Sequence, residues 1–528
     1  MTRSITVLFL AFFSLIFTST AMGQNTQLSN AKQKMLDATK FMVEKVSTNG
    51  GYVGLYLEDL SRRWGELEAY KTMIWVQNPG TVDMGHVFLD AYKVTKDEYY
   101  YKAAEKVAGA LIFGQQDSGG WNYMIDFAGD ASNRNWYNTI GKNAWGFEEH
   151  NHYYGNATFD DEVTSQAARF LLRMYLEKLD VSFKPSLDKA INFIIQAQYP
   201  LGGWPQRYPL KHDYPHGDYE DYTSFYTYND DVILGNLNFL IDCYVTLGEK
   251  RFLDPIQRAM NFFIISQQGN PQAGWGQQYD MDLKPAHARS YEPPALLPGQ
   301  TFRNSMSLIS FYEYTGDRKF IARIPDAIKW LESIQLPKSE TADGRYTHPV
   351  FAEIGSNKQL YAHRTGTGVN NGRYWWDYNS ENPLLHYGAK TKLNMDQLKD
   401  EYARVNALSP AEVTRNSPIK NRMFTGGELP QRYFDGRINP PAATPDESAV
   451  KAVIAKLDNQ NRWLTRHEWA SRPYSVTAGG EESNTARDSD AGGRAIMDAS
   501  DQQYISLREY MKNMNVLINY VRQPQQRN

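Results

Sequence analysis

A repeat constrains this chain more than any other feature. An apolar stretch ends in glutamine and a glycine-aromatic turn follows. Gln115-Gln-Asp-Ser-Gly-Gly-Trp121, Gln198-Tyr-Pro-Leu-Gly-Gly-Trp204 and Gln268-Gly-Asn-Pro-Gln-Ala-Gly-Trp275 are the clear copies, and Asn49-Gly-Gly-Tyr52 and Asp343-Gly-Arg-Tyr346 are weaker ones. From Tyr52 to Tyr346 the aromatics stand 69, 83, 71 and 71 residues apart, the length of a helical hairpin with its loops. A turn between helices recurs as Thr95-Lys-Asp-Glu-Tyr-Tyr100, Thr246-Leu-Gly-Glu-Lys-Arg-Phe252 and Thr315-Gly-Asp-Arg-Lys-Phe320. Apolar residues around these turns follow the helical period, as in Ala104, Val107, Ala108, Leu111 and Ile112, or Ile191, Ile194 and Ile195. Such a hairpin leaves one stripe uncovered until a neighbour stacks beside it. The expected fold is therefore all-α, an α/α toroid built as a closed or incomplete ring of hairpins.

In such a ring the short turns fall on one rim and the long polar loops, 126–158, 208–229 and 277–300, on the other. The repeat fades near Lys390. Residues 24–390 are expected to form the toroid, and 391–528 a less regular C-terminal segment of helices and loops, either an appendage or a ring-closing piece. The apolar run Ile5 to Phe17, after Arg3 and before small residues, reads as a signal peptide over 1–23. Export to periplasm or medium follows, and no later run is long enough for a membrane span in the mature chain. A net charge of −4, from 60 acidic and 56 basic residues, gives no general field for a polyanion, so nucleic acid is not an expected partner. Cys243 is the only cysteine, which rules out an internal disulfide. A monomer is expected.

Chemistry concentrates in the long-loop rim. Asp160-Asp-Glu162 and Asn229-Asp-Asp231 each stand at the start of an apolar helix, where one acid suffices as a cap. Consecutive acids repel one another unless they are solvated or joined by a cation, and hard oxygen ligands suit calcium. Arg289 lies among aromatics and prolines, with Glu292 and the ring carboxylates as possible ion-pair partners. Arg207 and Lys284 are further cations suited to a carboxylate-bearing sugar or to loop ion pairs. Trp204 and Trp275 are candidates for stacking on sugar rings, or for core packing. His150 and His152 fit no zinc spacing.

Four motifs, Ala157-Thr-Phe-Asp-Asp161, Gln198-Tyr-Pro-Leu-Gly-Gly-Trp-Pro-Gln-Arg-Tyr-Pro209, Thr227-Tyr-Asn-Asp-Asp-Val232 and Ala288-Arg-Ser-Tyr-Glu-Pro-Pro294, occur in the order found in the pectate lyases of polysaccharide lyase family 10. The chain resembles a distant, longer relative of that family over about Gly120 to Tyr314. The resemblance implies an exported polysaccharide lyase that cleaves polygalacturonate by calcium-assisted β-elimination. It places the base on Arg289 and the calcium and substrate carboxylates on Asp160, Asp161 and Asp230, and the loop residues Trp204, Arg207, Asp231, Trp275 and Lys284 are the expected substrate contacts. Asp161 stands where the family leads one to expect asparagine, and His287 where it leads one to expect an aromatic. Two other readings remain at this stage, a glycoside hydrolase on the same ring using Asp160 and Asp230, and a non-catalytic glycan-binding protein.

Overall fold

The hairpin turns show how short polar motifs fold this chain. Thr95 Oγ1 donates to the Ala91 carbonyl (2.7 Å) and accepts from the Asp97 amide (3.2 Å). Asp97 caps the next helix by accepting from the Tyr99 amide (2.9 Å). Thr315 and Asp317 repeat the device, with Gly316 supplying the left-handed link at φ 74°.

The computed structural model describes residues 26–141, 155–211, 220–289, 291–341, 343–365, 373–381, 383, 389–421, 445–466, 470–471, 494–495 and 503–522. The proposed leader, His150 and His152 lie outside the described residues. Helix α1 spans 26–41. Four hairpins follow: α2 (Thr81–Thr95) with α3 (Glu98–Gly114), α4 (Val163–Lys178) with α5 (Lys184–Ala197), α6 (Val232–Leu247) with α7 (Leu253–Ile265), and α8 (Pro298–Thr315) with α9 (Ile324–Ser333). Further along come α10 (Met395–Asn406), α11 (Glu447–Ala455) and α12 (Leu507–Arg522). The first members form an inner row in which α12 packs on α2, α2 on α4 and α4 on α6, while the short helix Pro418–Asn421 wedges between α6 and α8. The architecture is an α/α toroid.

Each glycine-aromatic loop is tied down in the same way. The indole N–H groups of Trp121, Trp204 and Trp275 donate to the carbonyls of Leu111, Ile194 and Phe263 at 2.7, 2.7 and 3.0 Å. The backbone amides of Tyr52, Trp121 and Trp275 donate to Thr81, Thr164 and Thr301 in the first turn of the next inner helix. The repeat glutamine bonds its own loop and the start of the next outer helix: Gln115 to Gly119 and Ser186, Gln198 to Gly202 and Pro255. In the third copy this part is taken by Gln267, one residue before the sequence repeat points, reaching Ala273 and Arg323. Gly202 sits at φ +108°, and a Cβ there would lie 2.1 Å from the Arg258 carbonyl, so close approach of loop to outer helix demands glycine.

These contacts correct one expectation. Trp204 and Trp275 are fully buried in the main core, with their N–H groups already engaged, and offer no face to a sugar. They belong to the packing, where loss of such a ring costs about 3–5 kcal/mol. Tyr346, the weak last copy, is 40% exposed and closes no loop in this way.

The C-terminal segment is no appendage where it is described. Tyr504–Ser506 pairs antiparallel with Leu55–Leu57, matching Leu55 to Ser506 and Leu57 to Tyr504. Leu507, Met514, Leu517 and Ile518 join the same core as α2, and the Tyr510 hydroxyl meets Thr39 of α1 at 2.8 Å. The fading of the 70-residue period marks a change of connection, not of body.

Candidate active site

Two equivalent strand-turn-helix joints build the site. Ala157–Thr158 pairs with Arg207–Tyr208, and Tyr226–Thr227 pairs with Gln278–Tyr279. The residue after each first strand is anchored alike: Phe159 N–H donates to the Gln206 carbonyl (2.8 Å), and Tyr228 N–H to the Gln277 carbonyl (2.9 Å). The chain then makes the same contortion twice before a helix starts. Asp161 and Glu162 take φ 50° and 58°, and Asp230 and Asp231 take φ 50° and 57°. Left-handed non-glycine residues cost about 1–3 kcal/mol each and persist only where the surroundings impose them. At neither turn does the residue before the helix, Glu162 or Asp231, cap it with a side-chain hydrogen bond.

Arg289 joins the two turns. It sits in a tight loop in which its own amide donates to Glu292 Oε2 (2.8 Å) and its carbonyl accepts from the Glu292 amide (2.8 Å). Only 4% exposed, it directs Nη2 to Asp160 Oδ2 and to Asp230 Oδ2, both at 3.3 Å, and Nη1 to Glu292 Oε1 at 3.3 Å. Asn229 and Gln277 also donate to Glu292 Oε1, at 3.3 and 3.2 Å. One guanidinium thus holds carboxylates from three different loops.

Asp160 is the most heavily engaged of these groups. Tyr123 donates its hydroxyl to Oδ2 (2.6 Å), Gln206 donates to Oδ1 (2.7 Å), and Arg289 reaches both oxygens. Arg207, itself buried, donates to the Tyr123 hydroxyl at 3.0 Å with its guanidinium over the Tyr123 ring. Burial works against an ionised Asp160, but Arg289, the Tyr123 hydroxyl and Arg207 together outweigh it and hold the carboxyl below its usual range. Asp230 goes the other way. Burial first, then the charges of Asp160 and Asp161, push its carboxyl well above the usual range, against the opposing pull of Arg289. The pair shares one guanidinium, and the proton demand of the coupled pair falls on Asp230.

The sequence-derived candidates thus separate. Arg289, Asp160, Asp161, Asp230 and Arg207 lie in one connected network, and Asp231 occupies the second left-handed position beside them, partly exposed. Lys284 stands apart on an exposed turn with Asp282 at 3.4 Å. His287 bonds the Glu220 carbonyl (3.0 Å) and meets the Phe225 ring edge-on. Sequence reasoning passed over Tyr123, Gln206 and Gln277. A positional signal existed, since each lies two residues after a repeat tryptophan.

For calcium the donor set fits in part. Asp161 and Asp230 offer hard oxygens where like charges crowd, as the raised Asp230 carboxyl records. Asp160, expected among the ligands, already accepts on both oxygens and serves first to hold Arg289. Among the described residues no three His, Cys, Asp or Glu side chains gather closely enough to hold a metal by themselves.

A family model described as pectic acid lyase matches residues 126–370, which contain both acidic turns, Arg289 and Glu292. The chain is a distant relative of the pectate lyases. The similarity holds over the matched span, which includes the loops that carry Asp160, Asp230, Arg289 and Glu292. Solved structures give looser likenesses. A mutant of a family 10 polysaccharide lyase from Cellvibrio cellulosa, in complex with trigalacturonic acid, is 18% identical over 53% of this chain and 86% of its own, with a TM-score of 0.35. A cellobiose 2-epimerase from Bacillus thermoamylovorans is 16% identical over 64% and 78%, TM-score 0.40, and an alpha-1,6-mannanase from Salegentibacter is 10% identical over 93% and 98%, TM-score 0.35. Superpositions this loose decide nothing about chemistry. Curated proteins give no match. Among the described residues no helix is long and apolar enough to cross a membrane.

Proposed function

We propose that this pectate lyase relative cleaves a polyuronate, polygalacturonate being the first to test, by calcium-assisted β-elimination with Arg289 as the base. The observation that carries the reading is a buried guanidinium nitrogen 3.3 Å from both Asp160 and Asp230, at the meeting of three loops. Asp160, braced by Tyr123 and Gln206, fixes the direction of Arg289, and Glu292 fixes its backbone. Asp161 and Asp230 would hold calcium together with the sugar carboxylate, since the protein alone gathers too few ligands. Calcium there would stabilise the enolate-like charge that develops when the proton beside the carboxylate leaves.

Arginine is a demanding base because its ordinary pKa lies far above neutrality. Three carboxylates also stabilise the guanidinium charge, so proton acceptance requires some of that negative charge to be engaged elsewhere. The rate should therefore climb as pH rises above neutral. We also infer export from the leader-like residues 1–23.

A hydrolase is less well supported by this geometry. Retaining and inverting glycosidases hold their carboxyl groups about 5–5.5 Å or 6.5–9.5 Å apart with the sugar between them. Here both carboxylates clasp the same nitrogen, and Asp160 is saturated and 1% exposed.

The deciding experiment incubates the protein with polygalacturonate and calcium, with and without a chelator, and follows ultraviolet absorbance of unsaturated product. Absorbance that grows with calcium and stops with chelator is expected; new reducing ends without absorbance would favour hydrolysis instead. A second result should accompany it. Because the Asp230 carboxyl is raised, its ionised form costs stability once pH exceeds the ordinary carboxylate range. Asp230→Asn should therefore melt higher than wild type at neutral pH while losing turnover, and the gain should vanish in acid, where Asp230 is protonated in both folded and unfolded chains. A variant that melts lower at neutral pH would contradict this account of the site's strain.

A further inference from the structure

We propose that Gln77 is a positioning residue of this site, holding Asp161 in place, so that the hairpin ahead of the matched region is part of the working cleft. The inference rests on the lyase reading above. It starts from the chemistry of an indole, which can only donate. Trp75 Nε1 gives its hydrogen to Gln77 Oε1 at 2.8 Å. That bond fixes which way the amide points, with no ambiguity between its oxygen and nitrogen. Nε2 is thereby aimed at two carboxylates, hydrogen-bonding Asp161 Oδ2 and Glu66 Oε2, the latter at 3.2 Å.

The frame behind this amide is rigid. Met73–Trp75 pairs with Met124–Asp126, Trp75 is 1% exposed and meets Trp136 edge-on at 6.0 Å, and Gln77 itself is 7% exposed. One NH2 group with two hydrogens thus stands between two acids from different loops. Asp161 is held left-handed next to Asp160, which clasps Arg289, so its placement bears on the whole cluster. Residue 77 precedes the matched span of 126–370. Groups that orient metal ligands from behind matter nearly as much as the ligands themselves.

Gln77→Glu tests this cleanly, because it still accepts from Trp75 but loses the donor and adds a carboxylate. Gln77→Met removes both. In calcium and polygalacturonate, each variant should lose turnover about ten-fold or more, with Glu the worse. More calcium should be needed for half-maximal rate, and Gln77→Glu, which sets a third carboxylate against Asp161 and Glu66, should melt below wild type. On an Asp161→Asn background the same change at 77 should cost much less. With Arg289→Lys as a slow background, calorimetry should show weaker trigalacturonate binding in calcium when Gln77 is changed. Wild-type turnover with silent or fully additive Gln77 variants overturns this inference alone. A wild type that degrades no polyuronate with calcium sinks the lyase reading and this inference with it.

Discussion

Arg289→Lys is expected to keep the fold and to lose about 10²–10⁴-fold in turnover on a polyuronate, the range associated with a positioned proton acceptor. A lysine keeps one positive charge among the carboxylates, so the buried acids are not left without a cation. It cannot reproduce the fork that reaches Asp160, Asp230 and Glu292 together. Absorbance of unsaturated product at saturating substrate, beside a thermal melt, separates the two effects. Near-normal turnover by the lysine variant would show that the fork is not needed, since an amine can take up the proton as well. For wild type the same assay across pH should show a rate rising above neutrality; an acid optimum would count against Arg289.

Asp160→Ala should produce the largest loss of stability among the site residues, about 3–5 kcal/mol by the usual penalty for orphaning one member of a buried ion pair. Tyr123 and Gln206 would lose this acceptor and Arg289 one of its three carboxylates at once. The sign of the pH dependence follows from the direction of the Asp160 shift. Its folded carboxyl is held below the usual range, so its contribution is complete above the unfolded value and disappears as pH falls through the folded one. Denaturant melts of wild type and variant should therefore differ widely at neutral pH and converge in strong acid. Equal spacing at both ends would show that Asp160 acts by packing alone.

What could be read from the sequence was whatever repeats or clusters. The glycine-tryptophan copies announce the hairpins because the same indole-to-carbonyl and amide-to-threonine bonds are made each time. Asp160, Asp230 and Arg289 were legible as a group because acids and a lone arginine stood in loops of one rim. Trp204 and Trp275 carry the opposite lesson: an aromatic in a polar loop looks ready for a sugar, but the turn folds it inward. Glutamines 77, 206 and 277 were harder to see, because an uncharged amide announces no chemistry and their one signal is a place two residues after a tryptophan. Their importance comes from which donor or acceptor faces them across another hairpin. The joining of residues 504–506 to 55–57 was equally unreadable, since a strand of three residues has too little sequence to name its partner.

That last pairing governs the order in which the molecule can be completed. Leu55 waits for Ser506, hundreds of residues downstream, so the first hairpins emerge from synthesis with one flank bare. Long loops are costly to close, and contacts of such separation form late. Until residues 507–522 are released, the flank of α2 that they cover stays bare, a sticky edge that needs shelter from other nascent chains.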